Sequence, residues 1–141
     1  MIHIAAGDEL DAPTLYQLLR LRAEVFVVEQ NCPYMDPDGR DLDPSTRHIW
    51  VEEEGTIIAT ARIAAQPDGT QRIGRVVTAS SARGRGLAAD LVRTAVEQCD
   101  TSPIALDAQS QLVDWYRSLG FAVAGDDFIE DGIRHTPMRY G

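Results

Sequence analysis

Cysteine is scarce: Cys32 and Cys99 are the only two in 141 residues. Two thiols cannot build the disulfide framework of a small secreted domain, and these two lack metal-ligand spacing. Both read as reduced bystanders, and no metal is expected. Long apolar runs are also missing, since no stretch approaches the length that spans a bilayer. The opening Met1-Ile2-His3-Ile4-Ala5-Ala6-Gly7-Asp8 has no basic segment leading into an apolar one. No signal peptide and no membrane partner are therefore expected, and the expected location is the cytoplasm. Positive charge is in deficit, with 13 Lys plus Arg against 22 Asp plus Glu and a formal net charge of -9. A nucleic-acid binder carries a basic footprint, so that class is set aside. The acidity suits a small cationic substrate, although solubility alone accounts for it. No internal repeat or low-complexity tract is visible.

What the chain does contain is 44% hydrophobic and 25% charged residues. That composition and length fit one domain with one core, residues 1–141. Leu15, Leu18, Leu19, Arg22, Val25, Phe26 and Val28 form a helical stripe that predicts a helix over about residues 12–29. Residues 32–46 hold three prolines, one glycine and five charges. They read as a loop long enough to suggest a role beyond connection. Strands are predicted at residues 48–51, 56–64 and 71–78, with turns at Gly55 and at Pro67-Asp68-Gly69. Leu87, Ala88, Leu91, Val92, Ala95 and Cys99 share one helical face. Pro103 ends that region, and Ile104-Ala105-Leu106 reads as a short buried strand. A helix over 109–119 stops at Gly120, and strands follow at 121–124 and 136–140. The order predicts a mixed α/β sheet covered by helices.

The strongest chemical signal is the junction from Arg75 through Ala88. An apolar strand ends, small residues turn the chain, and a helix begins. Gly84 and Gly86 remove side chains where backbone N–H groups are free, and Arg83 and Arg85 add charge. Donors, helix dipole and arginines converge on a site suited to a pyrophosphate. A Walker loop needs Gly-Lys-Ser/Thr where this chain has Gly-Leu-Ala. A dinucleotide fingerprint is a weaker rival: Asp107 lies near the expected ribose position, but no second half-domain exists.

These residues resemble the GNAT superfamily of N-acetyltransferases, whose acetyl-CoA loop is Gln/Arg-x-x-Gly-x-Gly/Ala. Arg83, Gly86 and Ala88 match it in order. Trp115-Tyr116-Arg117-Ser118-Leu119-Gly120-Phe121 is similar to the superfamily's aromatic-Tyr-x-x-x-Gly-Phe segment. A narrower resemblance, to the ElaA-like subgroup, rests on several segments. They are Leu21-Arg22, Phe26 through Gln30, Cys32-Pro33-Tyr34, Asp38 through Asp43, Arg47-His48, Ala108-Gln109-Ser110, and Glu130 through Ile133 with His135. Gln109 stands where many superfamily members carry Asn.

The resemblance implies a mostly antiparallel central sheet of about six or seven strands flanked by helices. It implies transfer of an acetyl group from acetyl-CoA to a small primary amine, by direct attack in a ternary complex. The strand at 75–77 is expected to splay from the strand at 104–106, with the pantetheine arm between them as a pseudo-strand. The cofactor-contacting residues it implies are Val76, Val77, Thr78, Arg83, Gly84, Arg85, Gly86, Leu87, Ala88, Gln109 and Tyr116. A backbone N–H there is expected to stabilise the oxyanion, and Tyr116 is the candidate acid for the leaving thiolate. Candidate bases are Glu29 and His48, with Glu130 and His135 behind them. Asp36, Asp38, Asp41 and Asp43 read chiefly as solvated loop carboxylates, with attraction of a cationic amine as the other reading. The non-catalytic alternative is an acyl-CoA-binding regulatory or interaction module. Monomer and homodimer both stay open.

Overall fold

A computed structural model describes every residue from Met1 to Gly141. In chain order the first half contains β1 (Ile2–Ala6), α1 (Ala12–Arg22), β2 (Thr46–Glu53), β3 (Thr56–Ala65) and β4 (Gln71–Thr78). The second half contains α2 (Leu87–Gln98), β5 (Ile104–Gln109), α3 (Val113–Ser118), β6 (Phe121–Val123), β7 (Phe128–Glu130) and β8 (Ile133–Tyr140).

Asp11 caps α1 by accepting the Thr14 N–H at 2.8 Å, and Pro13 sits in the first turn, where no N–H is needed. The helix does not end at Arg22. Residues Ala23–Glu29 continue it as a π-helix, closed by bonds from Gln30 N–H to the Val25 carbonyl and from Cys32 N–H to the Val27 carbonyl, each 3.0 Å. The predicted helix over 12–29 thus has the right extent, and its last two turns are wider than α-helical. Such π segments recur at functional sites.

The eight strands form one sheet in the order β1-β2-β3-β4-β5-β8-β6, with β7 also on β8. Only β4 and β5 run parallel; the other pairs are antiparallel. The predicted mixed sheet is therefore observed. The sequence pattern revealed six strands; β1 and β7 are additional, and β7 is only three residues long. β5 also runs on to Gln109, where a helix start was predicted. A short 3-10 turn at Ser110–Leu112 separates it from α3.

Both faces of the sheet are covered, which is why β3 is buried continuously from Ile57 to Ala64. Ile49 and Val51 join Leu91, Val92 and Ala95 of α2 in the larger core. Trp50, between them, points the other way and packs with Leu18, Leu21 and Val25. The two-residue period of β2 divides its side chains between the two layers.

The loop over residues 30–45 is tied down rather than solvated. Arg22, 1% exposed, donates from Nε to Asp36 Oδ2 at 2.8 Å and from Nη1 to Asp41 Oδ1 at 2.7 Å. Arg62 binds Asp38 through two bonds of 2.9 and 2.7 Å and reaches Asp41 at 3.1 Å. Tyr34 donates its hydroxyl to Asp36 at 2.5 Å. Reading Asp36 and Asp41 as solvated carboxylates is corrected: both are buried. Nor are they free to attract an amine, because arginines from α1, β3 and β4 neutralise them.

Candidate active site

Parallel pairing between β4 and β5 is limited to Gln71 with Ile104 and Arg72 with Ala105. Beyond Arg72 the two strands diverge, although β4 runs on to Thr78 and β5 to Gln109. A bulge assists the divergence. Thr60 pairs with Val77 and Arg62 with Gly74, so β4 has one residue more than β3 across this interval. Arg75 lies in it with φ of 51°, a conformation that costs a non-glycine residue energy.

The divergence opens into a cleft of about 1040 Å³. One wall is β4 with the start of α2, another is β5 with α3, and the end of the π-helix and the hairpin β7–β8 close the far side. Val76, Val77 and Thr78 line it, as do Arg83, Gly84, Gly86, Leu87 and Ala88. Gln109, Tyr116, Glu29, Glu130 and His135 line it too. Residues far apart in sequence thus meet in one cavity.

The α2 entrance has the geometry of an anion site. Gly84 and Gly86 have φ of 83° and 75°, and a Cβ at either would meet no atom within 4 Å. Glycine is used here for backbone conformation and for open space on the cleft side. The first helical bond runs from Asp90 N–H to the Gly86 carbonyl at 3.2 Å, so the preceding N–H groups have no intrahelical acceptor. Arg83 leans on the Thr78 carbonyl at 3.3 Å and pairs with Glu29 at 2.7 Å.

Two expected residues are not brought to the cleft. Arg85 lies outside its lining and is held by Glu53, with one contact at 3.1 Å. His48 is 1% exposed and its Nε2 lies 2.8 Å from the Asp41 carbonyl. A side chain sealed beneath the loop cannot take a proton from a substrate, so His48 is not a base here. Burial holds its imidazole below the usual histidine range despite the hydrogen bond to Asp41.

Tyr116 is 7% exposed and packs edge-on against Trp115 and Phe121, with ring centroids 4.8 and 5.9 Å away. Burial pushes its hydroxyl up to about 12, so it stays protonated at neutral pH. His135 Nδ1 is 2.8 Å from the Ile133 carbonyl. That oxygen can only accept, so Nδ1 carries a proton, and in the neutral ring Nε2 is the acceptor. Arg75, Tyr34 and Gln30 stood in segments singled out by sequence, but none of them was assigned a role at the site. Nothing local marks an arginine for a left-handed bulge or a tyrosine for a carboxylate 2 residues on.

Comparison with known proteins agrees with this geometry. The profile of the acetyltransferase (GNAT) domain matches residues 22–141. A UPF0039 protein of Mycobacterium bovis is 46% identical over 136 residues, covering 94% of this chain and 87% of its own. ElaA of Escherichia coli is 40% identical over 137 residues, covering 93% and 90%. The crystal structure of ElaA superposes with a TM-score of 0.93 over 100% of this chain and 99% of that one, at 37% identity. An acyl-CoA N-acyltransferase from Pseudomonas aeruginosa gives 0.94 over 100% and 99%, at 36% identity. The chain belongs to the GNAT acetyltransferase family, among relatives named ElaA, and is an acyl-CoA-dependent acyltransferase.

Proposed function

We propose that the protein transfers an acetyl group from acetyl-CoA to a small primary amine by direct attack within a ternary complex. The observation that carries this reading is the divergence of β4 and β5, with the Arg83–Ala88 loop and Tyr116 opening into the same cleft. Backbone groups of Val76 and Val77 bind the pantetheine arm as an added strand would be bound. The Gln109 amide supplies a further contact to the arm. Arg83 and the N–H groups of residues 84–88 hold the pyrophosphate. Arg85, turned toward Glu53, reaches the phosphates only if it gives up that partner.

The base takes a proton from the ammonium, and the amine nitrogen forms a bond to the thioester carbonyl carbon. A backbone N–H at the bulge stabilises the oxyanion. Collapse breaks the C–S bond, and the nitrogen loses its second proton to solvent as the amide forms. A hydroxyl near 12 is a weaker acid than an ordinary thiol at about 8.5. Tyr116 therefore acts chiefly by donating a hydrogen bond to the developing thiolate, and solvent completes the protonation. Glu29 is the proposed base. His135 is a second reading, favoured by the acceptor state of its Nε2.

The test is a thermal-shift screen with acetyl-CoA, ATP and NAD, followed by an amine panel read through release of free thiol. Acetyl-CoA should raise the melting temperature, because it binds the folded state selectively. Cys32 and Cys99 are buried and add little thiol background. All 13 cationic side chains are arginine and none is lysine, so self-acetylation of side-chain amines adds no signal. A shift with ATP or NAD but none with acetyl-CoA would discard the reading.

A further inference from the structure

Two neighbouring side chains at the end of the π-helix reach the two opposite walls of the cleft. Glu29 holds Arg83 through both carboxylate oxygens, at 2.9 and 2.7 Å. Gln30 accepts a bond from the Gln109 amide at 3.2 Å. Arg83 and Gln109 are the side chains assigned above to the pyrophosphate and the pantetheine arm. In the free protein both are already engaged, and by one short segment.

We propose that Glu29 and Gln30 form a displaceable strap: Glu29 occupies the anion site of Arg83 until the cofactor pyrophosphate replaces it, and the release hands the carboxylate to the acceptor side. This rests on the reading that the Arg83 loop binds pyrophosphate. The exposure of the pair makes exchange affordable. Glu29 and Arg83 side chains are each 44% exposed, where an ion pair is screened and weak. Arg22 and Asp36, at 1% and 3%, form the opposite kind of pair, one that cannot open without stranding a buried charge. The incoming pyrophosphate carries more charge than one carboxylate, and it gains the free N–H groups at the start of α2, which Glu29 does not use. Cofactor binding and release of Glu29 are then linked, and the linkage is reciprocal. The base becomes available only in the loaded enzyme.

Titration calorimetry with CoA tests the strap without any amine. Glu29→Gln should tighten CoA by roughly 2- to 5-fold, the range of an exposed ion pair. Glu24→Gln removes the same charge from the exposed partner of Arg20, outside the cleft, and should leave CoA affinity unchanged. In an Arg83→Gln background CoA binds more weakly, and adding Glu29→Gln should change nothing further. Unchanged or weaker binding by Glu29→Gln overturns the strap, as does equal tightening by Glu24→Gln or in the Arg83→Gln background. Failure of the wild type to bind CoA at all overturns the pyrophosphate assignment itself, a different result from CoA binding that ignores Glu29.

Discussion

The Arg75 guanidinium donates from Nη2 to the backbone carbonyl of Asp36 at 2.9 Å, tying the β4 bulge to the loop that walls one side of the cleft. Arg75 Nε also lies 2.9 Å from Asp36 Oδ1, but off the line of its N–H, so that contact is ionic only. Asp36 thereby connects α1, through Arg22, to the residue that bends β4 away from β5. The bulge and the loop share one charge-balanced network of Arg22, Arg62 and Arg75 with Asp36, Asp38 and Asp41.

Asp41→Ala is expected to be severely destabilising. It removes a carboxylate that pairs with both Arg22 and Arg62 and leaves the network one positive charge in excess, with Asp36 and Asp38 as the remaining partners of the two arginines. Breaking such a pair costs about 3–5 kcal/mol. Urea unfolding should show a large drop in midpoint. A change below about 1 kcal/mol would mean that water reaches Arg22 in solution.

Acid should weaken the fold in two stages. The unfolded chain protonates His48 near the ordinary value of 6.5, whereas burial keeps the folded imidazole neutral to lower pH. Between these values the unfolded state binds more protons, so stability falls as pH falls below about 6.5. The second stage belongs to Asp38 and Asp41. Burial alone would raise both carboxyls, but bonds and charge from Arg62 on Asp38, and from Arg22 and Arg62 on Asp41, hold them below their ordinary value of 3.8. Their contribution is present above that value and is lost as pH falls through the folded one. Unfolding midpoints measured from about pH 8 downward check both stages. His48→Gln should flatten the first and spare the second.

Gly86→Glu should fold and bind acetyl-CoA poorly. A Cβ there meets no protein atom within 4 Å, so the penalty within the protein is the strain of φ 75°, on the order of 1 kcal/mol. The carboxylate, however, projects beside the proposed pyrophosphate. At about 1 kcal/mol for each charge pair at contact in water, affinity should fall roughly tenfold or more. Calorimetry showing unchanged affinity in the folded variant would remove the pyrophosphate from this loop.

Tyr116→Phe keeps the ring packing against Trp115 and Phe121 and deletes the donor. A single positioned donor to a developing anion contributes about 10²–10³-fold, and a donor raised to about 12 belongs at the low end. The expected result is a loss in kcat of about 10² with little change in acetyl-CoA affinity. Full kcat on a substrate whose chemistry is rate-limiting would leave Tyr116 as a core residue only.

Much of the site was legible because its signals are local. Helical periodicity placed α1 and α2. Gly84 and Gly86 announced a turn into a helix start, since few residues adopt φ of 83° and 75° without strain. The resemblance carried by Arg83 to Ala88 and by the Tyr116 segment implied one cofactor for both, and the two segments line one cleft. The wrong expectations had another origin. His48 and the loop aspartates look polar and available in a string of letters, and their burial depends on what folds over them.

The sequence by itself determined most of the elements, the glycine-bearing turn into α2 and the family resemblance, because each is written in neighbouring residues and in the short-range geometry they permit. Only the tertiary structure decided where β4 leaves β5, that Ala23–Glu29 widens into a π-helix, and which charges are spent on one another. Those outcomes rest on pairs such as Arg22 with Asp36, 14 residues apart, and Arg83 with Glu29, 54 apart. A charge declares its sign in the sequence, but its partner and its exposure are set by distance in space, and at 4 Å the attraction ranges from about 1 kcal/mol in water to several times that near a protein surface.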